Sequence, residues 1–237
     1  MAKQRGPVAS TFSGRVGNVV GAKLKGGEYV ARSYQPSVKN PNTLRQQVSR
    51  SKMGFAAGIA AAAADAINIG YAKASNGTKM YPRNMFVKEM IPVSNGHITL
   101  NNNVPALSGN VIPFSAKQGL ETLPQVTIAY SEESNVFNFT ATNADQVTLG
   151  TGERLGLVVV PFIEPTAETP AKAVVAMGDA AEGVTLDGDL GSDFMGAKVY
   201  AFYKVIPAAV NGVATTTIPW KYPSNTGATR MIGTMPS

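Results

Sequence analysis

A run of short β-type segments with no helical pattern between them fills the second half of the chain, and this feature most constrains the fold. Val136–Thr142 alternates side chains on two faces, which is the period of a strand. Clusters of Gly, Pro and Asn separate the segments, a pattern typical of an antiparallel sandwich. The predicted strands are His97–Leu100, Gln125–Tyr130, Val136–Thr142, Leu155–Phe162, Ala171–Met177, Val184–Leu186, Lys198–Ile206 and Thr215–Trp220.

For two of these strands the sequence also predicts which faces are buried. Leu155–Val160 is apolar throughout, as expected for a strand covered on both faces. In Lys198–Ile206, odd-numbered and even-numbered residues should face opposite ways, which places Lys204 on the same face as Tyr200 and Phe202.

The middle of the chain has a helical pattern. Pro41 ends the preceding strand, and Asn42 or Thr43 can cap the free N–H groups of a helix. One helix is predicted from Leu44 to about Ala74, because apolar residues at 44, 48, 55, 59, 63, 66 and 67 follow one helical face. The small residues 56–64 would let this helix approach a neighbour closely, which suggests burial between subunits. A second helix is predicted for Pro82–Met90, with proline in its first turn.

The first segment is punctuated by glycine. Residues 8–36 are predicted to be extended, and Val19–Ala31 to form a hairpin that turns at residues 25–28. The predicted assembly hairpin contains five glycines, namely Gly14, Gly17, Gly21, Gly26 and Gly27. An isolated hairpin is marginally stable in water, so we expect this arm to pair with another molecule.

These patterns predict an α+β, mainly β, fold in four segments. Residues 1–40 are a basic, glycine-rich hairpin arm, and residues 41–92 are helical. Residues 93–222 form an antiparallel β-sandwich of the immunoglobulin-like or jelly-roll-like type, and residues 223–237 an extended C-terminal tail.

Charge is divided unevenly along the chain. Residues 1–92 hold 14 Lys or Arg against 3 Asp or Glu, a net of +11, whereas residues 93–237 hold 7 against 12, a net of −5. Nucleic acid, the acidic half of a neighbouring copy, or solvent alone would each suit such a basic segment. The candidate binding residues are Lys3, Arg5, Arg15, Lys23, Lys25, Arg32, Lys39, Arg45, Arg50 and Lys52. Tyr29 and Tyr34 lie among them and could stack on bases.

Catalytic and cofactor patterns are missing from the sequence. The absence of cysteine excludes disulfides, thiolate metal sites and cysteine nucleophiles. One histidine, His97, gives neither a typical zinc site nor a convincing triad, and a turn or strand-edge position suits it better. The N-terminal glycines do not have the spacing of a phosphate-binding loop.

Two clusters of acidic residues are also present, and neither is predicted to be a functional site. Asp187, Asp189 and Asp193 do not follow the calcium-loop pattern, and a solvated turn suits them better. Glu132 and Glu133 sit in a predicted turn and receive no acid–base role. We therefore predict no catalytic residue, no metal, no cofactor and no small-molecule substrate.

Targeting signals are also missing. No apolar run of about 7–15 residues follows the first charged residues, so no signal peptide is predicted. The longest apolar stretch, residues 54–64, is mostly Ala and Gly and is too short for a membrane span. Synthesis in the host cytoplasm, with no membrane partner, is the expectation.

Three motifs carry a resemblance to a known family. They are the hairpin FSGRVGNVVG at residues 12–21, the strand GGEYVAR at 26–32 and the helix start KNPNTLRQQ at 39–47. The chain resembles an uncharacterised family common in Bacteroidota and their phages or prophages, whose members combine such a hairpin with an N-P-x-T-x-x-Q helix start and a β-sandwich. The helix of this chain is richer in alanine than is usual there. The resemblance implies a phage or prophage gene product.

The functional prediction is a phage virion structural protein, as a capsid, connector or tail component. It would act by self-assembly and docking to other virion proteins, with the basic arm facing nucleic acid or an acidic partner. The alternative is a free accessory protein that binds nucleic acid non-specifically through the backbone. A surface carbohydrate-binding sandwich is disfavoured, because the chain has a single tryptophan, Trp220, and no visible export signal.

Overall fold

A computed structural model describes residues 13–25, 27, 29–37, 42–95, 106–107, 111–120, 124–166, 168–210, 213–214 and 220–236. Its fold is mixed α+β with antiparallel sheets, as predicted from the sequence. The predicted strand His97–Leu100 and residues 215–219 of the predicted strand Thr215–Trp220 lie outside the described residues.

The chain begins with a small antiparallel sheet, which we call the N-terminal sheet. Its strands are β1 (Gly14–Val16), β2 (Val19–Lys23) and β3 (Tyr29–Ser33), paired in the order β1-β2-β3. A two-residue turn joins β1 to β2, and Gly17 has the positive φ of +57° that such a turn needs. The pairing of β2 with β3 confirms the predicted hairpin of Val19–Ala31, and β1 adds a third strand to it. Residues 26 and 28 of the predicted turn lie outside the described residues.

Four helices follow: α1 (Leu44–Ala62), α2 (Ala64–Gly70), α3 (Ala72–Ser75) and α4 (Pro82–Val93). Thr43 caps α1, since its side chain accepts a hydrogen bond from the backbone N–H of Gln46. The prediction of one helix over residues 44–74 is wrong, because the chain breaks at Ala63 and α2 leaves α1 at 90°. This bend brings Ile67 and Ile69 into the same core as Phe55 and Ile59 of α1.

Short strands β4 (Ser94–Asn95) and β5 (Ala106–Leu107) pair with each other after α4. The remaining elements are β6 (Gln125–Ser131), β7 (Val136–Thr142), a 3-10 turn (Ala144–Gln146), β8 (Arg154–Ile163), β9 (Lys172–Ala173), β10 (Ala176–Asp179), β11 (Val184–Asp187), α5 (Gly188–Ser192), β12 (Lys198–Ile206), β13 (Ala209–Val210), β14 (Val213–Ala214) and β15 (Arg230–Thr234). The strands between residues 125 and 206 agree with the predicted ones, except that the predicted strand Ala171–Met177 is divided into β9 and β10. The helix α5 and the 3-10 turn lie in a region where no helix was predicted.

The central sheet has the order β10-β8-β12-β15, with β9 also paired to β8, and its interior strands serve two cores. Val158, Val160 and Phe162 of β8 lie in a cluster with the helices. Leu157 and Val159 lie in a second cluster with β7 and β11. The predicted burial of β8 on both faces is confirmed, and so is the predicted alternation of side chains along β12.

The second cluster is closed by a smaller antiparallel sheet of order β11-β7-β6. Phe137 and Phe139 of β7 are buried in it, together with Val184 and Leu186 of β11. The helices and this smaller sheet therefore cover opposite faces of the central sheet.

The C-terminal segment is paired along much of its length. Residues 225–227 hydrogen-bond to Val205, Tyr203 and Gln118, and Met235 donates its N–H to Ala197 O. β15 is an edge strand of the central sheet, antiparallel to β12. The extended tail predicted for residues 223–237 thus includes a strand that belongs to the folded body.

Candidate functional site

Four of the predicted binding residues lie on or beside the N-terminal sheet. Arg15 is on β1, Lys23 ends β2, Arg32 is on β3, and Lys25 lies in the turn after β2. The strand register places Arg15 and Arg32 on either side of Val20 in one cross-strand row. Two guanidinium groups therefore share one face of a sheet only three strands wide.

Tyrosine rings hold two of these cations. The guanidinium carbon of Arg15 lies 3.5 Å from the ring centroid of Tyr34, and its Nε donates to Gly17 O at 3.0 Å. Lys23 Nζ lies 5.7 Å from the ring centroid of Tyr29. Such contacts fix the direction of flexible cationic side chains while leaving their charge uncompensated.

An open cleft adjoins the stacked pair of Arg15 and Tyr34. It is lined by Val20, Arg32, Ser33, Tyr34 and Gln35. Among the described residues no carboxylate forms a salt bridge with Arg15, Lys23 or Arg32. The face is therefore positively charged and carries one aromatic ring.

The opposite face of the sheet carries exposed apolar groups, and the outer strands leave open edges. Val16 is 64% exposed and Val19 is 42% exposed, and their cross-strand pair lies at one end of the sheet. Within the described part of the chain no further strand pairs with β1 or β3. The unpaired N–H and C=O groups of such edges can accept a strand from another molecule.

Lys25 attaches this sheet to the helices of its own chain. Its ammonium group donates to Met80 O at 2.7 Å and to Ser75 O at 3.1 Å, and it lies 5.0 Å from the ring centroid of Tyr81. The sequence prediction of Lys25 as a partner-binding residue does not anticipate this intramolecular role.

The other predicted binding residues are not part of the N-terminal sheet. Arg45, Arg50 and Lys52 lie on the first turns of α1, where no residue before Phe55 is fully buried. Lys3, Arg5 and Lys39 lie outside the described residues.

The predicted assembly glycines have mixed roles. Gly14, Gly17 and Gly27 have positive φ angles, whereas Gly21 lies in β2 opposite both Gly14 and Ala31. Gly26 is outside the described residues. This row of small residues leaves the middle of the face opposite Arg15 and Arg32 without bulky side chains.

Lys204 is a buried cation whose partners the sequence does not identify. It is 1% exposed, and its Nζ donates to Tyr222 O at 2.6 Å and to Ile69 O at 3.4 Å. Burial lowers the pKa of Lys204 to about 8. The even-numbered position of Lys204 in β12 predicts its burial. Its hydrogen-bond partners, which lie in α2 and in the C-terminal segment, could not be predicted from β12.

Tyr71 forms a second buried polar contact that sequence reasoning misses. Its hydroxyl lies 2.6 Å from Glu89 Oε2 and 2.7 Å from Pro113 O. Burial raises the pKa of this phenol, and the hydrogen bond and negative charge of Glu89 raise it further. These groups link α4 to the segment before β6.

The acidic groups considered from sequence occupy one end of the smaller sheet. Asp187 caps α5 by accepting a hydrogen bond from Asp189 N, and Asn135 Nδ2 donates to Asp189 Oδ1. Across the described ranges, no three His, Asp or Glu side chains gather closely enough to hold a metal ion.

None of the described helices is by itself long and apolar enough to span a membrane. The pair α1 and α2 reaches that length and composition only with a bend of 90° between its two helices.

Comparison with known proteins finds no match to the chain among family models, curated proteins or solved structures. The resemblance to a family of Bacteroidota and their phages therefore stays a prediction from the motifs.

Proposed function

We propose that this chain is a non-enzymatic structural protein of a phage-type virion and that it works by assembly through its N-terminal sheet. The observation that carries the proposal is the pair of open edges on a charged sheet with exposed valines. A three-stranded sheet of this size buries little of its own surface, so it gains stability by adding to a neighbour.

The rest of the chain would supply the repeating body of the particle. Two antiparallel sheets that share a core support the predicted immunoglobulin-like or jelly-roll-like sandwich, with the helices on its other side. The chain would be made in the host cytoplasm and then incorporated into the virion as a capsid, connector or tail component. The phage setting rests on the resemblance of residues 12–47.

The test is the mass of the purified protein by light scattering, with and without residues 1–40. The buried residues of the first cluster begin at Phe55 and those of the second at Leu120, so the shortened chain keeps the residues of both cores. We expect the full chain to form larger species as concentration rises and the shortened chain to stay monomeric. Strict monomers in both cases, at high concentration, would count against assembly.

A free nucleic-acid-binding protein is the second candidate, and the contacts of Arg15 with Tyr34 and of Lys23 with Tyr29 favour it. Cations held beside aromatic rings suit phosphates and bases of a single strand. A salt titration of binding to random DNA tests it, since backbone binding weakens steeply as salt increases. No binding at low salt removes this candidate.

A further inference from the structure

The smaller sheet has an end whose charge complements that of the N-terminal sheet. We call it the acidic end, and its exposed carboxylates are Glu132, Glu133, Asp187, Asp189 and Asp193. The first two lie in the turn between β6 and β7, and the others lie in and beside α5.

Asn135 holds the two parts of the acidic end together. Its carbonyl accepts a hydrogen bond from Gly188 N at 2.8 Å, and its side chain bonds to Asp189 and to the hydroxyl of Tyr130. Asp187 also pairs with Val136 across the β7–β11 ladder. The carboxylates therefore lie on one continuous, ordered surface.

Exposed apolar side chains lie among these carboxylates. Leu190 of α5 is 56% exposed, Met195 just after α5 is 51% exposed, and Tyr130 is also exposed. A surface that combines large apolar groups with charge of one sign suits a protein partner of the opposite charge.

Other carboxylates of the second half already have partners in their own chain. Asp179 pairs with Arg154, and Glu164 pairs with Lys198 at 2.6 Å. Among the described residues, no Lys or Arg forms a salt bridge with the five carboxylates of the acidic end.

One copy of the chain cannot join its own two surfaces in the arrangement observed. Lys25 fixes the N-terminal sheet to the loop between α3 and α4, on the helical side of the central sheet. The acidic end belongs to the smaller sheet, on the opposite side. A contact between these surfaces must therefore join two copies.

We propose that the N-terminal sheet of one copy docks on the acidic end of the next copy, so that the copies join head to tail. This inference rests on the proposed assembly function and names its partner surface. Charge complementarity selects a second copy as the occupant, because Arg15 and Arg32 share one face of the N-terminal sheet and can meet the carboxylates of the acidic end. Such a heterologous contact generates a ring when its rotation closes and a filament when it does not.

Two neutralised full-length variants test the inference. The sheet variant carries Arg15→Gln, Lys23→Gln and Arg32→Gln, and the end variant carries Glu132→Gln, Glu133→Gln and Asp193→Asn. The matched control, Asp145→Asn with Glu168→Gln and Glu182→Gln, neutralises three exposed carboxylates elsewhere. Asp187 and Asp189 are left unchanged because they hydrogen-bond within the fold.

Sedimentation at about 50 mM salt, where surface charges are weakly screened, measures the association. We expect the wild-type protein and the control to associate, and each test variant to associate about tenfold or more weakly. Each test variant keeps one intact surface, so an equimolar mixture of the two should form a 1:1 dimer and nothing larger. Circular dichroism checks that both are folded, and if one is not, the other must still lose association.

The outcomes separate this inference from the proposed function. If the end variant associates like the wild type while the sheet variant does not, the acidic end is not the acceptor, but assembly through the sheet stands. A monomeric wild-type protein overturns both. A monomeric wild type that binds random DNA through the same three cations overturns the inference in favour of the nucleic-acid alternative.

Discussion

Lys204 Nζ donates a hydrogen bond of 2.6 Å to the backbone carbonyl of Tyr222, which ties the middle of β12 to the C-terminal segment inside the protein. The ammonium group has a second acceptor in Ile69 O, near the end of α2. Two carbonyls and no carboxylate hold this cation, so burial lowers the pKa of Lys204 to about 8.

The pH dependence of stability should report this lysine. A lysine whose pKa is lower in the folded state binds fewer protons there than in the unfolded state between about pH 8 and pH 10.5. The free energy of unfolding should therefore rise through this range, by about 2 kcal/mol from pH 8 to pH 9.5 relative to Lys204→Met.

Urea unfolding of both proteins at matched pH measures this difference. Tyr200 and Tyr203, whose pKa values burial raises to about 12, reduce stability above about pH 10 in both proteins, so their effect cancels. A difference between the two proteins that stays constant from pH 7 to pH 9.5 would contradict the expected state of Lys204.

Gly70 should be the least replaceable glycine of the helical region. A Cβ atom there would lie 2.3 Å from Phe114 O and 2.7 Å from Ser115 Cα, and backbone atoms cannot move aside as a side chain does. We expect Gly70→Ala to lower the free energy of unfolding by about 3 kcal/mol.

Gly58 provides the matched comparison. It lies in the interior of α1, and nothing lies within 4 Å of a Cβ built on it. Gly58→Ala should raise the free energy of unfolding by about 0.5–1 kcal/mol, because alanine loses less backbone entropy in a helix. Equal effects of the two substitutions would show that the approach of α2 to residues 114–115 is not as described.

The Tyr71 hydroxyl should contribute to stability. Tyr71→Phe leaves the carbonyl of Pro113 without its donor and is expected to lower the free energy of unfolding by about 1–2 kcal/mol. Tyr130→Phe removes an exposed hydroxyl bonded to Asn135 and should cost clearly less. Denaturant titrations of both variants give the comparison, and a larger loss for Tyr130→Phe would speak against the buried contact.

Loss of Lys25 should release the N-terminal sheet without unfolding the body. Lys25→Ala removes two hydrogen bonds to the loop that contains Ser75 and Met80. Amides of β2 and β3 should exchange hydrogen about tenfold faster, while the global unfolding midpoint stays the same.

Lys23→Ala is the control for Lys25→Ala, since Lys23 contacts Tyr29 within the sheet itself. Hydrogen exchange read by mass spectrometry resolves the two variants. Unchanged exchange in Lys25→Ala would mean that other contacts hold the sheet.

The strands between residues 125 and 206 were predictable because their side chains alternate and turn residues bound them. Val136–Thr142 and Lys198–Ile206 have the predicted limits. β15 was not predictable in the same way. Its five residues include Gly233, and a register irregularity lies opposite them in β12, so no alternation is visible in the sequence.

The bend at Ala63 could not be predicted from local sequence. Alanine surrounds it on both sides, and no glycine or proline marks the break. Packing of Ile67 and Ile69 against Phe114 and its neighbours decides the direction of α2, and those contacts come from residues far along the chain.

The sequence predicts that the start of the chain is rich in basic residues, but it does not predict which of these residues lie together. The sequence shows many cations near the start of the chain, yet only the folded sheet brings Arg15 beside Tyr34 and into one row with Arg32. The role of Lys25 depends on the end of α3 and the loop that follows it, which lie 50 and 55 residues away in the chain.

Neighbouring residues of β8 point into different cores, Val159 toward the smaller sheet and Val160 toward the helices. Neither core can unfold while the other stays folded, because strand β8 contributes side chains to both. Heat should therefore unfold the body in a single cooperative transition. A cavity beneath the helices, made for example by Ile59→Ala, would destabilise the distant strands β7 and β11 as much as the residues around Ile59.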